Sequence, residues 1–496
     1  MKTILFIIFL LHGLIHLMGF MKAFKLADLN KLNLTVSRMW GFIWLFAGLT
    51  LLLAGILLAF NLQSWWIPGL AGALVSQILV FRFWQDARFG AIPNLMILVL
   101  VVSVFAKPIP PESIINEQME AVSFEERYGT EVLTDGLQFY DPFRIEIEPM
   151  NRLLLINIEN DPDTLYVGFE PQIIDAPNRS DAMLVIGWRA DGKVDVYHDP
   201  ALQPEHEKYS ITGKGLANMA ERDFEDSFFY VKDHGVQAQV EFEDIHGRHI
   251  QFQVIESSKR TRKPFGLLAP MGLTAENPTA MPLILLNEFY FVRRSNTEIS
   301  IEINGRNHQS DILPLPIDFT RMNFARYCSN PLIAMFNPGY DGELTPVTRN
   351  ENMTVDRGDI SYLLAMNEGV AELASRSQTD GKHIVTLNFN PAFPNLGVFS
   401  GSVAKGRFEI SGSPATGFIQ GEYRVTRNGD HMAIELIPSY GWLPNESKLS
   451  LRFLYKVDPV FTTWPATYRW TADIVDGRSR LSMNSRWERI HQDAVN

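Results

Sequence analysis

Cysteine is almost missing from this chain. Cys328 is the only one in 496 residues, which excludes an intramolecular disulfide framework and any zinc site built on thiolates. Also missing are a Gly-x-Ser-x-Gly elbow, a phosphate-cradling glycine loop, a His-Glu-x-x-His pair and a dinucleotide fingerprint, so the chemistries those motifs carry are not signalled. Charge is scarce before residue 107, with seven Lys/Arg against two acids, a net of +5. Long helical periodicity is scarce after it. The later part holds 37 basic and 54 acidic residues, a net of −17, which repels phosphates and excludes nucleic acid as a partner. At roughly 100–200 residues per domain the length implies about three domains.

What the first hundred residues do have is apolar runs. Four of them, about Ile4–Phe24, Met39–Phe60, Trp65–Phe83 and Phe89–Ala106, approach the ~20 residues a helix needs to cross a bilayer. Runs this apolar leave no face for water. Trp40, Trp65, Trp66 and Trp84 lie near the run ends, where indoles favour the headgroup region. A cleaved signal peptide is disfavoured, because His12, His16 and Met18 occupy the place of a small-residue cleavage site and three more runs follow. The expectation is a four-helix transmembrane domain over residues 1–106. Lys22, Lys25, Lys31 and Arg38 make the first connection the most basic and assign it to the cytoplasm. Both chain ends then lie outside, in the inner (plasma) membrane, with the acidic body extracytoplasmic. Lys107-Pro108-Ile109-Pro110-Pro111-Glu112-Ser113 opens a Pro-rich spacer, 107–120.

Beyond the spacer, period-two alternation and turn dipeptides take over. Val236–Phe242 and Ile250–Val254 alternate on either side of a polar turn, Val185–Arg189 and Val194–Tyr197 flank Ala190-Asp191-Gly192-Lys193, and Asn304-Gly305 and Asn428-Gly429 follow alternating runs. The best helix candidates, Gly213–Arg222 and Ile360–Arg376, are short. Strands with one apolar face must bury it in a sandwich or barrel. The fold class expected is therefore multidomain: an all-α four-helix transmembrane bundle, then two all-β modules, lipocalin-like barrels or sandwiches, at 121–340 and 341–496.

Leu11-His12-Gly13-Leu14-Ile15-His16-Leu17-Met18-Gly19-Phe20, with three more apolar runs behind it, resembles small bacterial four-helix membrane modules of the DoxX-like kind. The tandem antiparallel β region with Trp-bearing strands resembles, in architecture alone, the lipocalin-like carotenoid hydratase and tocopherol cyclase group. That second likeness implies an isoprenoid or lipid ligand and carries over no catalytic residue.

His12 and His16, at i and i+4, share one helix face beside Gly13. Such a pair suits a metal, haem or quinone contact. The favoured reading is hydrogen bonding to Asn94, Gln77 or Ser76, because no later run supplies another histidine. His246-Gly247-Arg248-His249, behind Glu241, Glu243 and Asp244, has the types for a divalent ion but reads more simply as a solvated turn. No metal and no cofactor are expected.

Lys259-Arg260-Thr261-Arg262-Lys263 is a basic run followed by an apolar stretch containing Phe265 and Leu267. It suits a loop that docks on anionic headgroups and dips those two side chains into the interface, or else a linker and a buried strand. Pro282–Phe291 reads as core, so Glu288 within it becomes the first candidate for a buried catalytic acid, needing a partner such as Arg293 or Arg321. Arg321, Arg326 and Tyr327 form a candidate anion clamp. The function expected is a membrane-anchored, extracytoplasmic binder of lipids or isoprenoids, with membrane lipids and an apolar small molecule as partners. The alternatives are a lipid- or isoprenoid-modifying enzyme of hydratase or cyclase type, needing a raised-pKa acid in an apolar cavity, and a structural envelope module.

Overall fold

A computed structural model describes residues 2–27, 35–60, 62–106, 112–114, 123–129, 138–176, 179–232, 235–258, 263–314, 316–317, 320–349, 353–446, 448–477 and 480–490. The chain divides into two compact units, Met1–Pro108 and Ile109–Asn496.

The first unit contains four apolar helices, Lys2–Ala23, Arg38–Ala59, Trp66–Arg82 and Ala91–Ala106. Among the described residues two segments, Leu5–Ala23 and Arg38–Ala59, are long and apolar enough to cross a membrane singly, which is consistent with a membrane anchor. The four expected helices are present, but the two later ones do not pass that test singly. Trp66–Arg82 has 17 residues, about 26 Å of helix against a core of about 30 Å. It passes the length test only together with Trp84–Val99, from which it is bent by 120°. The break falls at Phe83, where the charged residues Arg82, Asp86 and Arg88 cluster.

The first two helices pack through small residues. Gly41, Gly48 and Gly55 recur every seven positions on the second helix. A Cβ on them would lie 2.4 Å from Ala23, 3.0 Å from the Gly13 carbonyl and 3.2 Å from Phe9 respectively. Their missing side chains let the backbones approach, the usual route to helix association where lipid removes the hydrophobic drive. Leu11, Ile15, Phe46, Leu49 and Leu53 stay exposed, an apolar outer face that water would not tolerate and lipid does.

The second unit is β-rich and holds three large sheets. A nine-stranded sheet runs in the order Phe265–Leu268, Met281–Arg293, Met322–Phe336, Met150–Asn157, Tyr166–Ala176, Arg179–Arg189, Val194–His198 and Leu216–Glu221, with Ile145–Glu148 on the far end of Met322–Phe336. A five-stranded sheet orders Arg306–His308, Thr297–Ile303, His249–Glu256, Gly235–Glu243 and Phe228–Lys232. Its alternating apolar positions Val240, Phe252 and Ile301 pack on Leu154, Ile156 and Phe169 of the first sheet. The third sheet is a ten-stranded antiparallel meander from Thr354–Arg357 to Leu481–Arg489, closed at that end by Tyr340–Leu344. One hydrophobic core joins Leu283, Leu285, Leu332 and Phe336 of the nine-stranded sheet to Phe389, Trp442, Trp470 and Trp487 of the meander. This accounts for the unbroken apolar run at Met281–Leu286: the strand is covered on both faces there.

Two expected helices are strands. Leu216–Glu221 pairs in parallel with Val194–His198. Ile360–Asn367 and Val370–Thr379 form a hairpin, turned at Glu368 and Gly369 with φ of 45° and 94°, the left-handed pair that a tight hairpin turn requires. Most of the expected spacer lies outside the described residues, but Glu112–Ile114 is docked. The Ser113 hydroxyl and the Ile114 N–H donate to Glu409 at 2.9 and 3.1 Å, and Gln420 donates to the Glu112 carbonyl at 3.0 Å.

Candidate functional site

In the nine-stranded sheet, Leu153, Leu155, Ile284, Leu286, Phe291 and Phe324 face a cavity of about 580 Å³. Phe265, Leu267 and Phe289 add to the same wall, and Phe265 meets Phe289 edge-on at 4.8 Å. The opposite side is roofed by an insertion in the meander. Between His431–Leu443 and Tyr468–Asp476 the chain leaves the sheet to form the helix Leu449–Val457 and the turn Val460–Thr463. Leu451 and Tyr455, four residues apart on one helical face, are buried, and with Leu454 and Phe461 they line the cavity. Tyr455 packs on Trp442 at 5.3 Å, and its hydroxyl has no hydrogen-bond partner among the described residues.

Besides Glu159, Asn160, Asp311, Tyr455 and Asp458, the polar groups on the lining are Glu170, Trp188 and Arg326. Glu170 is 4% exposed; its oxygens accept from Gln172 Nε2 at 2.9 Å and from Trp188 Nε1 at 3.2 Å. Burial raises its pKa, against the opposing pull of those two hydrogen bonds and the Arg326 charge. Arg326 is held down to about 10 by burial. Its Nη1 donates to Asn157 Oδ1 at 3.0 Å and its guanidinium lies 4.3 Å over Phe324. No carboxylate among the described residues comes within ion-pairing distance of it. The ladder sets these residues apart: Arg326 pairs with Leu155, and the register that matches Leu153 to Gln172 and Ile156 to Phe169 puts Leu155 opposite Glu170. Arg326 and Glu170 therefore flank Leu155, roughly 10 Å apart at two strand spacings.

Two other clefts have a different character. One of about 1020 Å³ is lined by Glu146, Glu205, Glu207, Lys208 and Arg486 among others, an acidic trough. The other, about 570 Å³, holds Glu288, Lys382, His383 and Asn287. Its mainly apolar walls make the 580 Å³ cavity the candidate binding site.

Several expected site residues are not where the sequence reading put them. Glu288 is exposed, not buried. Its φ of 50° turns the side chain out of the core between the paired positions Asn287–Asn330 and Phe289–Cys328, and it accepts from the Ser329 hydroxyl at 2.8 Å. Arg321, Arg326 and Tyr327 do not form one clamp. Arg321 is exposed; Arg326 and Tyr327 are neighbours on a strand and point to opposite faces. Tyr327 is buried between two sheets and stacks on Tyr290 at 5.2 Å. Lys259, Arg260 and Arg262 lie outside the described residues. Lys263 is exposed, and the Lys448 ammonium donates to its carbonyl. Phe265 and Leu267 are buried in the cavity wall, paired with Phe289 and Leu286, so they do not dip outward.

His12 and His16 are buried in the helical unit. His12 Nε2 meets Asn94 Oδ1 at 2.8 Å and Ser76 Oγ at 3.2 Å, and His16 Nε2 meets Ser76 Oγ at 2.8 Å. Asn94 in turn donates to Gln77 at 3.0 Å. No three potential metal-ligating side chains converge among the described residues. In the His246–His249 turn, Asp244 accepts from the His246 and Arg248 N–H groups at 2.8 and 2.9 Å, while His249 reaches Glu241, so the imidazoles do not share a centre.

Sequence reading missed Glu170, Trp188 and the helical roof. Glu170 had a signal: it is the only charged residue between Thr164 and Ile174, a run of strand-forming residues. Compared with known proteins, the chain matches no family model, no curated protein and no solved structure.

Proposed function

We propose that this chain is a membrane-anchored binder of lipid or isoprenoid molecules, its β unit lying outside the inner membrane. The observation that carries the reading is the apolar cavity of about 580 Å³ roofed by the helix Leu449–Val457. A cavity of this size and lining removes most of a drug-sized apolar ligand from water, and each buried CH₂ contributes about 0.8 kcal/mol. The basic connection after the first helix, with Lys22, Lys25 and Arg38, supports the outward orientation of the β unit. The test is mass spectrometry of small molecules retained by protein purified from its native membranes, beside a Leu155→Trp variant that fills the cavity. A lipid recovered with the native protein and lost from the variant supports the reading; no lipid above background in either rejects it.

A second reading has its own support. Glu170 is a carboxyl with a raised pKa inside an apolar cavity, the condition for a general acid that protonates a carbon–carbon double bond. The proton would pass from Glu170 to one alkene carbon, leaving a carbocation beside the Trp188 ring. Water would add there and return a proton to the carboxylate. Deuterium incorporation into an isoprenoid alkene in heavy water, abolished by Glu170→Gln, would favour the enzyme over the binder.

A further inference from the structure

Arg326 is the unusual group in the cavity. Arg326 is half-buried; a guanidinium drawn into an apolar cavity normally acquires a carboxylate, and Arg127, Arg376 and Arg427 in this unit each have one. Arg326 has a single amide oxygen, from Asn157, and an aromatic face. Of the acids on the lining, Glu170 stands two strands away across Leu155 and is occupied by Gln172 and Trp188, Glu159 accepts from Asn157 at 2.7 Å, and Asp311 accepts from the Glu159 and Asn160 N–H groups at 2.8 and 3.0 Å. The remaining guanidinium N–H groups find no protein acceptor among the described residues. The walls are mainly hydrocarbon, with Glu159, Asn160, Asp311 and Asp458 also on the lining.

Building on the lipid-binding reading, we infer that the cavity selects a single-chain amphiphile with a monoanionic carboxylate head, a long-chain fatty acid, its head seated over Leu155 against Arg326 and its tail along Leu153, Ile284, Leu286 and Phe291. A carboxylate matches the planar fork of arginine with two parallel hydrogen bonds. One cation balances one negative charge; a dianionic phosphate would bring a second charge onto a lining that already holds Glu159, Asp311 and Asp458 and no further Lys or Arg. Glu170 completes the arrangement, because its burial favours the neutral carboxyl and a neutral carboxyl does not repel the incoming head. Trp188, which holds Glu170 in place, keeps it turned toward its own strand neighbours.

The full-length protein in amphipol is incubated with tritiated palmitate, hexadecanol or hexadecyl phosphate, three probes with one chain and different heads, and bound label is counted after gel filtration. Palmitate is expected to be retained at least about tenfold better than hexadecanol, the scale of a hydrogen bond to a charged group. Arg326→Met is expected to remove that advantage, so that palmitate is retained no better than hexadecanol, and Arg326→Lys to restore part of it. Equal retention of palmitate and hexadecanol by the native protein overturns the head-group assignment but leaves the lipid-binding reading standing. Stronger binding of hexadecyl phosphate overturns the carboxylate choice, and retention of none of the three rejects both. If Arg326→Met does not fold, the native comparison of palmitate with hexadecanol decides alone.

Discussion

Arg326 and Glu170 stand on either side of Leu155 in one cross-strand row and face the same cavity without bonding to each other. Burial favours the neutral carboxyl of Glu170, so Arg326 gains no counter-charge from it.

Glu170 makes the native state less stable as pH rises. Its folded pKa lies above the ordinary 4.5, so over the interval between the two values the native state keeps a proton that the unfolded chain has lost. Stability is full below the ordinary value and declines as pH climbs through the folded one. Glu170→Gln does not titrate, so its melting temperature relative to the native protein is expected to rise as pH climbs above the ordinary carboxylate value. Calorimetry of the ligand-stripped protein in amphipol measures it, and a pH-independent difference would show that Glu170 is not desolvated.

The short helix Phe124–Tyr128 is held by a buried ion pair. Arg127 Nη1 meets Glu372 at 2.9 Å, and the Tyr128 hydroxyl donates to the same oxygen at 2.7 Å. Arg127→Met strands the Glu372 charge and is expected to lower stability by about 3–5 kcal/mol. Adding Glu372→Leu should recover much of the loss. Denaturant titration followed by tryptophan fluorescence reports both, and a double variant no better than the single would refute the stranded-charge account.

Cys328 is buried and its thiol is pushed up to about 12 by burial, so it resists maleimides. A Lys405→Cys variant, at an exposed position, therefore has one reactive thiol. With the β unit outside the inner membrane, a membrane-impermeant maleimide added to spheroplasts is expected to label the variant and not the native chain. Labelling that appears only after lysis places the unit in the cytoplasm.

Ser76 bridges both imidazoles of the helical unit. Ser76→Ala removes two hydrogen bonds at roughly 0.6 kcal/mol each, so the resistance of the membrane unit to SDS unfolding should fall by about 1 kcal/mol. A larger loss with a changed visible absorption spectrum would instead signal a bound group that the serine helps to hold.

Some of this is legible in the sequence because it depends on neighbours along the chain. The Asn304-Gly305 turn is there with both residues at positive φ, the alternation at Val236–Phe242 marks a strand with one buried face, and His12 and His16 find the serine and amides expected of them. Ile360–Arg376 misleads because its apolar spacing suits a helix, while Glu368-Gly369 turns it into a hairpin. Glu288 misleads because an apolar run implies burial, and a single residue at φ 50° leaves the core.

By itself the sequence determines an apolar helical start and a sheet-rich acidic remainder, since hydropathy and period are local properties of the chain. Only the tertiary structure decides how many helices are long enough to cross alone, and that Arg326, Glu170 and Tyr455 line one cavity. Those three residues come from two strands and an inserted helix up to 285 positions apart, and their meeting depends on strand order and register. Burial, and with it the altered acidity of Glu170, follows from that packing and not from the residue's neighbours in the chain.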